Sequence, residues 1–144
     1  MVINRLRGTA VVETPRGILV VSQTGRRFFL PGGKARPRES GEAAAVRELR
    51  EETGLKAVGS TYLFDHRGEI HSGPGGALYR DSHKVFLMTT RGVAEPLDEI
   101  RFVDFYGVYG LTISQTTKAI INRYRRLKAM LRIGPMKRIV SSGH

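Results

Sequence analysis

The chain has 144 residues, 40% hydrophobic and 26% charged, with 24 Lys and Arg against 13 Asp and Glu, no cysteine and a formal net charge of +11. This length suits one domain with its own core, the lack of cysteine excludes a disulfide framework and thiolate chemistry, and no run approaches the ~20 apolar residues of a membrane helix. The basic balance points to an anionic partner: a nucleotide, a phosphorylated metabolite or RNA.

Met1 to Thr9 carries Arg5 and Arg7 instead of an apolar leader, so a cytoplasmic protein is expected. The β-branched stretch from Arg5 to Thr14 and the run from Gly17 to Gln23 flank Pro15-Arg16-Gly17, which predicts two strands joined by a hairpin. A turn at Gly25 and a short strand ending at Leu30 follow, then a break at Pro31-Gly32-Gly33 and a loop to Glu39. Ser40 is placed to cap a helix that runs to about Thr53, and Gly54 suits the position that stops it. Lys56 to Arg67 reads as a strand. The glycine-rich segment 68–81 reads as a flexible hairpin tip, His83 to Thr90 as an apolar strand, 91–100 as a loop and 101–107 as a last short strand. Ile120, Ile121, Tyr124, Leu127 and Leu131 give Ser114–Leu131 a helical period. One domain over 1–134 and a frayed tail over 135–144 are expected. Strands, helix, strands and helix in that order suggest α+β, or a mixed sheet with helices on its faces.

The segment from Glu39 to Glu52 holds five glutamates in fourteen residues of an otherwise basic chain. At about 100° per residue, Glu48, Glu51 and Glu52 share one helical face, while Ala45, Val46 and Leu49 take a side suited to the core. Like charges so close repel, and without compensation at least one carboxyl pKa must rise. A hard divalent cation removes the cost: Mg²⁺ takes oxygen ligands and keeps waters that substrate phosphates can replace. A solvated charged face is the plainer alternative. Arg47 is spaced to pair with Glu39 and hold the preceding loop on the helix. Gly32 and Gly33 allow a metal or phosphate close to the backbone.

Gly33, Glu39, Arg47, Glu48, Leu49, Glu51, Glu52, Gly54 and Leu55 stand at fixed gaps that resemble the Nudix box, G-x5-E-x7-R-E-U-x-E-E-x-G-U with U aliphatic, at all nine defined positions over residues 33–55. The resemblance implies a Nudix-type α/β/α sandwich and a Mg²⁺-dependent hydrolase, with Mn²⁺ as a substitute, acting on a nucleoside diphosphate linked to another group. It makes Glu48, Glu51 and Glu52 the catalytic metal ligands and adds the carbonyl of Gly32. It makes Gly33, Glu39, Arg47 and Gly54 structural. The general base is a box glutamate or a downstream acid, among Glu95, Asp98, Glu99 and Asp104. Arg26, Arg27, Phe29 and Lys34 are the expected substrate contacts. One of Phe28 and Phe29 should face the core, leaving the other for a base. His66, His71 and His83 are too scattered for a metal motif.

Within the family, the segment Leu30 to Lys34 is similar to that of members cleaving nucleoside triphosphates, including oxidised ones. The signatures of ADP-ribose, NADH and coenzyme A hydrolases are not evident. The expected reaction turns a (d)NTP or oxidised nucleotide into nucleoside monophosphate and diphosphate. Hydrolysis of ADP-ribose or dinucleoside polyphosphates is an alternative. A second class is an RNA-directed protein, because Lys118, Arg123, Arg125, Arg126, Lys128 and Arg132, with Lys137 and Arg138 beyond, leave the last helix a basic face. A homodimer is compatible with the family. Arg38 stands where the family often has glycine.

Overall fold

The computed structural model describes residues 1–107 and 110–131. The expected tail over 135–144 lies outside them, as do Arg132, Lys137 and Arg138. In chain order the elements are β1 (Val2–Val11), β2 (Glu13–Thr14), β3 (Gly17–Ser22), β4 (Gly32–Lys34), α1 (Gly41–Thr53), β5 (Lys56–Arg67), β6 (His71–Ser72), β7 (Leu78–Arg91), β8 (Phe102–Tyr106) and α2 (Gln115–Leu131), with a 3₁₀ turn at Pro74–Gly76. A mixed sheet runs β4-β1-β7-β5, with β6 added on β7, and a smaller antiparallel sheet runs β2-β3-β8. Strands β1 and β7 are parallel, Val2 facing Leu78 and Val11 facing Leu87.

Alternation along β1 divides the core. Ala10 and Val12 join Ala45 and Leu49 of α1 in one cluster. Val11 joins Ile120, Ile121 and Tyr124 of α2 in the other. The strands therefore lie between the two helices, giving the expected α/β fold with a mixed sheet. Gly8 sets the approach of α1, since a Cβ there would lie 2.0 Å from the Gly41 carbonyl oxygen. Tyr124 donates to Glu13 at 2.6 Å, and Lys128 pairs with the same carboxylate, so α2 is tied to β2.

Three local expectations are corrected. The first hairpin is only two residues deep: Glu13 and Thr14 pair with Ile18 and Gly17. The chain before them belongs to the larger sheet, and Val12 marks the passage between sheets. The strand expected before Leu30 reduces to single bridges at Phe28 and Phe29. The continuous strand lies further on, at Gly32–Lys34, where two glycines let the backbone close onto β1 at Gly8 and Thr9. The segment expected to be a flexible tip is partly sheet: β6 folds back onto β7, which begins at Leu78, and only residues 73–77 between them form the tip. The last helix runs from Gln115, capped by Ser114 Oγ accepting from Thr117 N at 3.1 Å.

Candidate active site

Helix α1 starts and stops where local chemistry dictates. Ser40 Oγ accepts from Ala43 N, and Gly54 ends the helix at φ 77° with its N–H on the Arg50 carbonyl. This presents Arg47, Glu48, Glu51 and Glu52 toward the segment that delivers β4. Arg47 is the hub. Its Nε and Nη2 each donate at 2.8 Å to the two Glu39 oxygens, Nη2 reaches the Lys34 carbonyl at 3.1 Å, and Nη1 meets Glu48 at 2.7 Å and Glu51 at 3.4 Å. A guanidinium fork of this kind joins the loop before the helix to the helix itself. Hydrogen bonds from Arg47 and from the Arg36 backbone hold the Glu39 carboxyl down at about 2.

The three box glutamates have different surroundings. Glu52 is largely buried and accepts from Gly32 N at 3.1 Å. Burial pushes its carboxyl up to about 8; the Gly32 N–H and Arg7 oppose the rise and Glu48 adds to it. Burial also raises Glu48, against the pull of Arg47 and with the push of Glu51. Glu48 lies against Gly33, where a Cβ would stand 1.8 Å from its Oε2. Glu51 is more exposed and meets Arg36 at 3.7 Å as well as Arg47. Among the described residues, no three acidic or imidazole groups converge as a formed metal cage. Arg47 occupies oxygens of Glu48 and Glu51 while Glu52 turns to Gly32.

The donor set nevertheless suits a hard cation. Three carboxyls stand within little more than one helical turn, and two of them are raised by burial with too little positive charge to offset it. An oxygen-ligating divalent ion supplies that charge.

Beside Glu52 and Gly32 opens a cavity of about 960 Å³. Arg26, Arg27 and Phe29 line it, together with Ser114–Thr117 at the start of α2. Phe28 is 5% exposed and packs in the core, whereas Phe29 is 46% exposed and faces the cavity. Lys34 is not among the lining residues; its backbone carbonyl serves Arg47 instead. None of Glu95, Asp98, Glu99 and Asp104 lines this cavity. Glu99 accepts from Gln23, and the Asp104 carboxylate accepts from Phe105 N. Sequence reasoning missed Arg7, Thr9, Asp81 and His83, which line the far wall from β1 and β7.

The NUDIX domain model matches residues 4–106, more than half of the chain. This protein belongs to the Nudix family. A Nudix hydrolase family member from Chromobacterium violaceum is 33% identical, with each chain covered to 97% and a TM-score of 0.72. The MutT Nudix hydrolase of Burkholderia pseudomallei, 20% identical, shares the fold over 83% of this chain and 97% of its own, at a TM-score of 0.70. Among curated proteins, the chain is 49% identical over 66 residues to the CTP pyrophosphohydrolase of Escherichia coli, and 32% over 65 residues to Bacillus subtilis YtkD, named as an 8-oxo-dGTP diphosphatase. Those matches cover 42% and 38% of this chain, and 49% and 41% of the relatives, so the alignment spans half or less of either curated protein. No helix among the described residues is long and apolar enough to cross a membrane.

The turn before the helix departs from the family's usual glycine. Glu39 N donates to the Arg36 carbonyl across Pro37 and Arg38, and Arg38 takes φ 67°. A positive φ at the third residue of a Pro-initiated turn favours glycine. Arg38→Gly is therefore expected to stabilise the fold by about 0.5–1 kcal/mol, the relief of strain exceeding the added freedom of the unfolded chain. Urea unfolding with an unchanged slope measures it; a lower midpoint contradicts the strain.

Proposed function

We propose that this protein is a divalent-cation-dependent pyrophosphohydrolase of nucleoside triphosphates, canonical or oxidised, releasing nucleoside monophosphate and diphosphate. The observation that carries this reading is the half-buried carboxyl pair of Glu48 and Glu52, of which Glu52 opens beside Gly32 onto a cavity lined by arginines. Glu48, Glu51, Glu52 and the Gly32 carbonyl would hold Mg²⁺ or Mn²⁺. When bound, such an ion neutralises the diphosphate and makes a bound water a better nucleophile. Arg47 keeps the acidic helix face against its loop. Arg26 and Arg27 offer charge to the phosphate chain, and the exposed ring of Phe29 offers a surface for the base. The names of the two curated relatives, a CTP pyrophosphohydrolase and an 8-oxo-dGTP diphosphatase, support a nucleotide substrate.

The basic face of α2 does not favour the RNA reading. Arg123 donates to the Asp65 carbonyl and lies over Phe64, Arg125 lies over Tyr106, and Lys128 is paired with Glu13. Three of its cations are thus engaged by other groups of the chain at its surface.

A panel of canonical and oxidised dNTPs, CTP, ADP-ribose, NADH, dinucleoside polyphosphates and 5′-triphosphate RNA, incubated with Mg²⁺ or Mn²⁺, tests the reading. Products identified by mass should show a triphosphate cleaved between its α and β phosphorus, fastest among the panel. No nucleotide turnover with either cation overturns it, and faster cleavage of triphosphate RNA than of any free nucleotide moves the protein to the RNA class.

A further inference from the structure

We propose that Arg7 grips the phosphate chain of the substrate from the strand side of the cavity, as a recognition residue additional to the family motif and to Arg26 and Arg27. This rests on the nucleotide reading above. Arg7 lies two residues before Thr9 and four before Val11 on the β1 face that turns toward α2, and its neighbour across the parallel ladder is His83. Arg7, Thr9, His83 and Asp81 line the same cavity as Glu52.

The neighbouring residues are satisfied and Arg7 is not. Arg5, on the same face, pairs with Asp81 through Nε at 2.8 Å and Nη2 at 3.4 Å, contacts His71 at 3.2 Å and lies over the Tyr79 ring. Asp81 is the acid on this wall, and Arg5 takes both its oxygens. Thr9 Oγ1 and His83 Nδ1 hold each other at 2.8 Å. His83 adds no counter-charge: burial, then Arg7, then His66 depress it to about 4, so it is neutral. Lys34, across the β4 ladder from Arg7, adds a second cation nearby. Among the described residues no acidic oxygen pairs with Arg7.

The half-buried Arg7 guanidinium keeps free donors inside the cavity beside a neutral imidazole, and Glu52, the acid whose charge it feels, makes no ion pair with it, so a ligand anion can take those donors. Its fork of donors matches two phosphate oxygens. A base or sugar offers no comparable negative charge, so the contact discriminates by phosphate number.

Arg7→Met keeps the stem and removes the charge. Isothermal titration with an imido-linked, non-hydrolysable dNTP analogue, the matching monophosphate and the unphosphorylated nucleoside reads the contact. We expect Arg7→Met to weaken the analogue by about tenfold or more, the monophosphate less, and the nucleoside by under about twofold, with Arg7→Lys between wild type and Arg7→Met. KM for the best substrate should rise in parallel, and the melting temperature should hold. The same loss in the Glu52→Gln background shows that the contact is direct and not relayed through that carboxyl. Equal weakening of analogue and nucleoside, or an unchanged analogue, overturns the assignment. If wild type cleaves dNTPs while Arg7→Met keeps its KM, only the role of Arg7 fails; if wild type neither binds nor cleaves any nucleotide, the broader reading fails with it.

Discussion

Replacing Glu52 by glutamine is expected to lower turnover on the best nucleotide on the order of 10²-fold while yielding an apoprotein more stable than wild type at alkaline pH. Both effects have one source. Glu52 is the box glutamate most removed from water, with Gly32 N–H as its hydrogen-bond partner. Burial lifts its carboxyl from the ordinary 4.5 to about 8, so the native fold favours the neutral form. A group raised in this way contributes its full stability below pH 4.5 and loses it as pH rises toward about 8. At ~1.4 kcal/mol per pH unit, the ceiling on that loss is roughly 5 kcal/mol. Glutamine cannot ionise, so the variant should lack this decline. Saturating Mg²⁺ or Mn²⁺ should reverse the order, raising the wild-type melting temperature at pH 8 and that of the variant much less. Thermal melts from pH 5 to 9, with EDTA and with metal, measure this directly. A wild-type stability that is flat across the range, or a variant with near-wild-type turnover, would remove Glu52 from the metal site.

Features held by short stretches of chain are legible in the sequence. Ser40 and Gly54 bracket α1 because a hydroxyl cap and a left-handed stop act within a few residues. That one of Phe28 and Phe29 turns inward and the other outward follows from alternation, though not which one, and α2 follows from its apolar period. Features that depend on distant partners are not legible. The parallel register of β1 and β7 joins positions 76 residues apart, as Arg5 and Asp81 show, and no local pattern encodes it. That register turns residues 78–81 from loop into strand and carries Arg7, Asp81 and His83 to the cavity wall. The spread of the acidic face is hidden for another reason. Helical geometry puts Glu48, Glu51 and Glu52 on one side, but whether their oxygens meet depends on Arg47, whose fork is shared among Glu39, Glu48 and Glu51.

The role of Glu48 can be tested without touching an acidic residue. Gly33→Ala should reduce kcat by tenfold or more, toward the ~10²-fold that an ångström of misplacement can cost, with a much smaller change in melting temperature. An added Cβ would stand 1.8 Å from Glu48 Oε2 and 2.5 Å from its Cδ, so the carboxylate must move. The atoms in the way are the far end of a flexible side chain, and Gly33 has no positive φ to lose. The fold therefore yields at modest cost, and Glu48 alone is displaced from its place between Arg47 and β4. Gly8→Ala on the facing strand provides the contrast. There the obstacles are the Gly41 carbonyl and the Ala45 amide, backbone atoms of α1 that cannot step aside, so the loss should fall on stability. If Gly33→Ala instead unfolds the protein while a folded fraction keeps full specific activity, Gly33 serves the sheet and Glu48 needs no fixed position. If it melts near wild type with turnover reduced at every metal concentration, the placement of one carboxylate limits the reaction.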